Sequence, residues 1–278
     1  LFGWVKERNC PQGQTSYSIY YTKKIRYYLT NPKVENSALL RYTARVSKQK
    51  PYCLVYVEHP MCSLDCADAV CDVLNLSGEY TAKLVGPSSF PYAIVSETLL
   101  AQADCLIVPG GLGDADQYDD SFLKALAPII KRYLAKGGRY LGICAGGYFA
   151  GHHYMDILKP STKAAQYVRR KNSTVKHEEH DVVTVDWAGE KRTVYFHDGA
   201  AFVPKRWYSR MSGHVVARYS NGDAAALIQT YKDGKVGVMG PHPEAQKWWF
   251  YSQTRITKRW RDCLQHDLLL SFAAQLLG

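Results

Sequence analysis

Apolar and polar positions divide the 278-residue chain into two textures. From Tyr52 to Met155, short continuous apolar runs alternate with amphipathic stretches. YCLVYV (Tyr52 to Val57) has the length and β-branched, aromatic character of a buried strand, and His59-Pro60 ends it. Ser63 to Leu76 spaces Ala69, Val70, Val73 and Leu74 at helical intervals behind the N-cap candidates Ser63 and Asp65. A strand is expected at Ala82 to Val85, a short helix at Ser96 to Ala101, and a buried strand in ADCLIVP (Ala103 to Pro109). Asp120 to Ala135 reads as a helix with Phe122, Leu126, Ile129, Ile130 and Tyr133 on one side and a kink at Pro128.

After Pro160 the period shortens to two. Asp181 to Trp187, Arg192 to His197, His214 to Tyr219, Ala225 to Tyr231 and Val236 to Met239 are expected as strands, with turns at Asn221-Gly222 and Asp233-Gly234. Cys263 to Leu277 closes the chain as an apolar helix. Residues 1–50, rich in Tyr and Lys, show little period beyond a short helix around Ser37 to Val46, and are expected to pack as an extension on a main domain of residues 51–278. Strand–helix alternation followed by antiparallel strands predicts an α/β protein: a mostly parallel sheet, covered by helices, with an antiparallel β extension. Ligands in such sheets bind at the strands' carboxyl ends.

Three features converge on those ends. KGGRYLGICAGGYFA (Lys136 to Ala150) reads as turn, short strand, sharp corner and helix with Cys144 at the corner, the grammar of a nucleophile elbow. Small neighbours Gly142, Ala145 and Gly146 make room for a strained nucleophile. Gly110-Gly111 follows a buried strand, where residues without Cβ let backbone N–H groups approach a ligand. His242-Pro243-Glu244 follows the last strand, and its spacing lets a carboxylate orient an imidazole, as a thiol nucleophile's base requires.

Composition changes this picture little. The net charge of +10 and 21 Tyr suggest nucleic acid, yet the basic residues are dispersed among the N-terminal arm, Arg169 to Lys171 and Lys247 to Arg261 without a recognition motif. A solvated basic face is the better account, and it leaves anionic partners open. No apolar run approaches a membrane span. Cysteine usage matters more, because eight is many for a reduced compartment. Metal-binding pairs of the C-x-x-C type are absent, so no metal is expected; disulfides among Cys10, Cys53, Cys62, Cys66, Cys71 and Cys263 are, with Cys105 buried and Cys144 kept free. With sequons at Asn75 and Asn172, this favours a secretory or extracellular location over a cytoplasmic one.

GICAGGY, the upstream VPGG and the downstream GPHPE resemble the class I glutamine amidotransferase superfamily, and YLGICAGGYFAG is most similar to the amidotransferase-like N-terminal domain of biotin–protein ligases and its stand-alone forms. The resemblance spans Tyr52 to Leu277. It implies a flavodoxin-like sheet with helices on both faces, Cys144 as nucleophile, His242 as general base then acid, Glu244 as its orienter, and an oxyanion hole from the backbone N–H groups of Gly111 and Ala145. Gly110 and Tyr148 would contact the substrate. The implied activity is cysteine-dependent hydrolysis of a carboxamide or small peptide-like substrate, without a cofactor. Two departures qualify it. Tyr148 stands where glutamine amidotransferases carry Gln, and no Gly-Arg-Gly-Arg ligase motif is present, so biotin transfer is not expected. The competing reading is a binding protein that keeps the fold while its thiol is idle.

Overall fold

The computed structural model describes residues 49–58, 61–87, 92–111, 120–251, 256 and 264–278, except for the side chains of 120–124. All but Gln49 belong to a unit that runs from Lys50 to Gly278. The expected N-terminal extension with its helix, the His59-Pro60 stop, Phe122, Cys10 and Cys263 lie outside the described residues or side chains.

The parallel half of the sheet contains β1 (Tyr52–Tyr56), β2 (Thr81–Gly86), β3 (Ala93–Ile94), β4 (Cys105–Val108) and β5 (Arg139–Ile143). The antiparallel half adds β6 (Thr162–Gln166), β7 (Asp181–Trp187), β8 (Glu190–Phe196), β9 (Ala200–Pro204), β10 (His214–Tyr219), β11 (Ala224–Tyr231) and β12 (Gly234–Met239). Along the sheet the order is β3-β2-β1-β4-β5-β12-β11-β10-β7-β8, with β9 joining β11 and β6 off this path. The run β2-β1-β4-β5-β12 has the strand order of a flavodoxin-like sheet. β12 is the seam, since it pairs parallel with β5 and antiparallel with β11.

Helices cover both faces. α1 (Leu64–Ser77) and α6 (His266–Leu277) share one core with Cys53, Val55, Cys105, Ile107, Leu141 and Ile143. α3 (Asp120–Ala135) shares the other with Leu54, Tyr56, Leu106, Val108 and Tyr140. Alternate residues of β1, β4 and β5 thus face opposite cores, and a strand buried on both sides reads as an unbroken apolar run. Short helices α2 (Glu97–Leu100), α4 (Ala145–Phe149) and α5 (Lys247–Tyr251) complete the set.

Local chemistry explains the boundaries. Ser63 caps α1 by accepting from the Cys66 N–H at 3.3 Å, and Gly78 ends it at φ 71°. The β7–β8 hairpin turns through Ala188 and Gly189, both at positive φ, as a two-residue type I′ turn requires. In β11–β12 the strained residue is Lys232, at φ 49°, one position before the expected Asp233-Gly234 turn. Three strands were not anticipated, the two-residue β3 and the longer β6 and β9.

The cysteines require a correction. Cys53, Cys62, Cys66, Cys71, Cys105 and Cys144 are all free and buried, so no disulfide forms among the described residues. Cys53 and Cys71 lie in the core of one sheet face, Cys62 in that of the other, and Cys66 in a third cluster. They pack as small apolar side chains. Asn75 is likewise structural: its amide accepts from Ala82 N–H at 2.8 Å and donates to Ala82 C=O at 3.1 Å, tying α1 to β2. Asn172 is exposed, at φ 57°.

Candidate functional site

β5 delivers Cys144 directly from the sheet into α4. Its φ of 50° and ψ of −106° lie in a region that L residues seldom occupy, the strain expected at a nucleophile elbow. The corner is enforced by close packing. A Cβ on Gly146 would come within 1.9 Å of the Val108 carbonyl oxygen, and one on Gly142 within 2.3 Å of that of Gly146. Cys144 N–H donates to Met239 C=O at 2.9 Å, which fixes the corner against the end of β12.

β12 in turn carries the chain into Gly240 and His242. The His242 N–H donates to Tyr195 C=O at 2.8 Å, an antiparallel bridge that anchors the loop to β8. Nδ1 of His242 and Oε1 of Glu244 are 2.8 Å apart, as the spacing implied. Both residues are enclosed, at 3% and 0% exposure, and Cys144 is at 6%. Burial opposes a charged imidazole. The neighbouring Cys144 and Glu244, the latter also hydrogen-bonded to the ring, outweigh it and push the His242 pKa well above the usual histidine range. The thiol also donates to the His197 carbonyl at 3.3 Å.

Gly110 packs under this pair. A Cβ there would lie 2.5 Å from Cε1 of His242, so only glycine fits beneath the ring. Gly111 is partly exposed beside it, as is Ala145 at the start of α4; among the described residues no backbone carbonyl takes the N–H of either. Tyr148 is turned toward the same turn as the thiol, with its hydroxyl donating to Asp198 C=O at 3.1 Å. Burial, followed by Asp198 and Cys144, raises its pKa well above the usual phenol range.

The chain is similar to known proteins. Residues 54–157 match the family described as biotin-protein ligase, N terminal. A biotin–protein ligase of Schizosaccharomyces pombe is 28% identical over 204 residues, 64% of this chain but 30% of the ligase. The PurQ subunit of phosphoribosylformylglycinamidine synthase from Methanosphaera stadtmanae is 25% identical over 206 residues, 65% of this chain and 90% of the subunit. These matches support an amidotransferase-like relationship for the chain. Its fold is shared with a cytoplasmic protein of Salmonella typhimurium, with a TM-score of 0.50 and 13% identity over 81% of this chain and 98% of that one. The chain spans less than a third of the length of the ligase it matches.

Sequence spacing missed three residues that lie against this site. Cys66, in the first turn of α1, offers a donor atom within 4.8 Å of donor atoms of His242 and Glu244. Burial pushes its thiol up to about 12, with His242 pulling the other way. His197 supplies the carbonyl that accepts a hydrogen bond from the thiol, and its ring stacks on His180 with centroids 4.0 Å apart. Tyr195 packs edge-on against His242, Trp249 and Phe250. Only the turn His197-Asp198-Gly199 carried a signal, because a polar turn ending a strand can border a cleft. His152 and His153 are exposed, His152 lying 3.1 Å from Asp156.

Tyr148 has a second neighbourhood. It lines a cavity of about 510 Å³ together with Lys163, Lys205, Arg206 and Trp207. Trp207 is 84% exposed, and the Arg206 guanidinium lies 5.0 Å from its ring centroid.

Proposed function

We propose that the chain is a cysteine-dependent amidase in which Cys144 attacks a carboxamide, His242 transfers the proton and Glu244 orients the imidazole. The observation that carries this reading is the buried His242–Glu244 contact facing a thiol at a strained elbow. The family relation supports it, as does the match to nearly the whole of a synthase subunit.

In this reading the imidazolium–thiolate pair is the reacting state. The sulfur attacks the carbonyl carbon, forming a C–S bond and an oxyanion that the N–H groups of Gly111 and Ala145 would receive. Collapse breaks the C–N bond while the imidazolium protonates the departing nitrogen, so ammonia or an amine leaves and a thioester remains. His242 then deprotonates a water that attacks the thioester, releasing the acid and restoring the thiol. Tyr148 occupies the place from which glutamine would be seated, and its hydroxyl is already engaged, which favours a substrate other than glutamine. The cationic cavity on which Tyr148 borders suits a carboxamide whose body carries negative charge.

The test is labelling of the native protein with a limiting amount of a haloacetamide, followed by peptide mass spectrometry. Selective modification of Cys144 that falls at least tenfold in His242→Ala supports the amidase. Labelling that is absent, or indifferent to His242, overturns it and favours a binding protein that keeps the fold.

A further inference from the structure

Cys66 has no part in the amidase mechanism, yet it lies at its centre. Its thiol, the His242 imidazole and the Glu244 carboxylate bring one donor atom each to within 4.8 Å of one another. All three residues are buried, at 9%, 3% and 0% exposure. Gly110 makes this possible from below: a Cβ there would lie 3.3 Å from Cys66 Sγ and 2.5 Å from His242 Cε1, so its absence leaves thiol and imidazole facing each other across the glycine.

A second observation points to a ligand. Oε1 of Glu244 is held by His242, but Oε2 is enclosed and has no hydrogen-bond partner among the described residues. A buried carboxylate oxygen left unpaired is costly, and a cation is one way to satisfy it. The donor set decides which cation. Thiolate, imidazole and carboxylate together suit a borderline-soft divalent ion that accepts tetrahedral geometry, whereas magnesium and calcium prefer oxygen alone.

We propose that Cys66, His242 and Glu244 form a zinc(II) site whose occupation switches the amidase off. Binding converts the Cys66 thiol and the His242 imidazolium to their metal-bound forms; of the two protons released, one returns to the Cys144 thiolate, whose cationic partner is gone, and the other passes to solvent. The imidazole lone pair is then committed to the metal, and Cys144 loses its proton acceptor. The metal site stands on the three side chains; only its effect on activity rests on the amidase reading.

Cobalt(II) and zinc(II) are the probes, used with the whole chain. Cobalt should bind at one equivalent with a thiolate-to-metal charge-transfer band that survives in Cys144→Ala and disappears in Cys66→Ala. Zinc, titrated against a chromogenic chelator, should bind at least tenfold more weakly to Cys66→Ala and to Cys66→Ser, with circular dichroism confirming that both variants are folded. Zinc should also slow haloacetamide labelling of Cys144 at least tenfold in the native protein and leave labelling of Cys66→Ala unchanged. Equal zinc affinity in the native and Cys66 variants, or a cobalt band that depends on Cys144 alone, overturns the site. A zinc site confirmed by affinity and spectrum in a protein whose Cys144 never labels would leave the site standing while the amidase falls.

Discussion

The backbone N–H of His242 donates to the carbonyl of Tyr195 at 2.8 Å, joining the loop after the parallel strand β12 to the antiparallel strand β8. The β extension is therefore part of the site's scaffold. The Tyr195 ring completes the support by packing edge-on against the imidazole, with centroids 6.0 Å apart. Tyr195→Ala is expected to cost about 3–5 kcal/mol, as truncation of a buried aromatic does. It should also lower His242-dependent labelling of Cys144 under conditions where the variant remains folded. Tyr195→Phe, which loses only the contact with His180, should cost about 1 kcal/mol and keep labelling intact. Chemical denaturation and labelling kinetics on both variants separate support from stability.

Gly110→Ala tests the packing beneath the ring. With the new methyl 2.5 Å from Cε1, the imidazole must shift or the loop must open. Since misplacement of a catalytic group by about 1 Å can cost roughly 100-fold, Cys144 labelling should fall by about that factor while the fold, read by circular dichroism, persists. Gly146→Ala should behave differently: its Cβ would meet the backbone oxygen of Val108 at 1.9 Å, and backbone cannot yield as a side chain can. That variant should express poorly or unfold at lower denaturant concentration.

Acid sensitivity should trace to His197. Burial, followed by the neighbouring His180 and His242, lowers its pKa from 6.5 to about 4. The unfolded chain then binds a proton that the folded chain refuses between those values, so stability is full above about pH 6.5 and is lost as pH falls toward 4. The loss is on the order of 3 kcal/mol. His242 acts with the opposite sign, because its raised pKa contributes stability at low pH that fades only as pH rises through the folded value. Thermal melts from pH 7 to pH 4 should show the fall in the native protein and a shallower one in His197→Gln.

Asn75→Ala should remove both hydrogen bonds between α1 and β2. The expected cost is about 1–3 kcal/mol, measured as a shift in denaturation midpoint at unchanged slope. No glycan should be found on Asn75 in a folded secretory preparation, since both ends of its amide are engaged.

Much of this was legible in the sequence because the informative residues are local. Runs buried on both faces announce parallel strands, and His242-Pro243-Glu244 places base and orienter within three residues, so their contact follows from strand geometry. β6 and β9 escaped because TKAAQ and AAFVP carry mostly small side chains without sustained alternation; β9 is buried by its partners β6 and β11, which only the folded sheet supplies. The disulfide expectation failed for Cys53, Cys62, Cys66 and Cys71, which are all free, because buried thiols can serve as small apolar side chains and cysteine count alone does not tell that use from pairing. Cys66 reaches His242 through tertiary packing that no spacing encodes.

The pairing of β5 with β12 has a consequence for how the thiol comes to life. Cys144 donates its backbone hydrogen bond to Met239, and Ile143 stands in register with the same residue, although the chain makes six further strands before reaching the strand that holds it. Closing so long a loop is entropically costly and tends to come late. A nascent chain that has emerged only as far as β11 carries Cys144 without its base, its orienter or its backbone anchor. Under the proposed mechanism, reactivity is thus withheld until synthesis has passed Glu244, and the newborn polypeptide would travel with a quiet thiol.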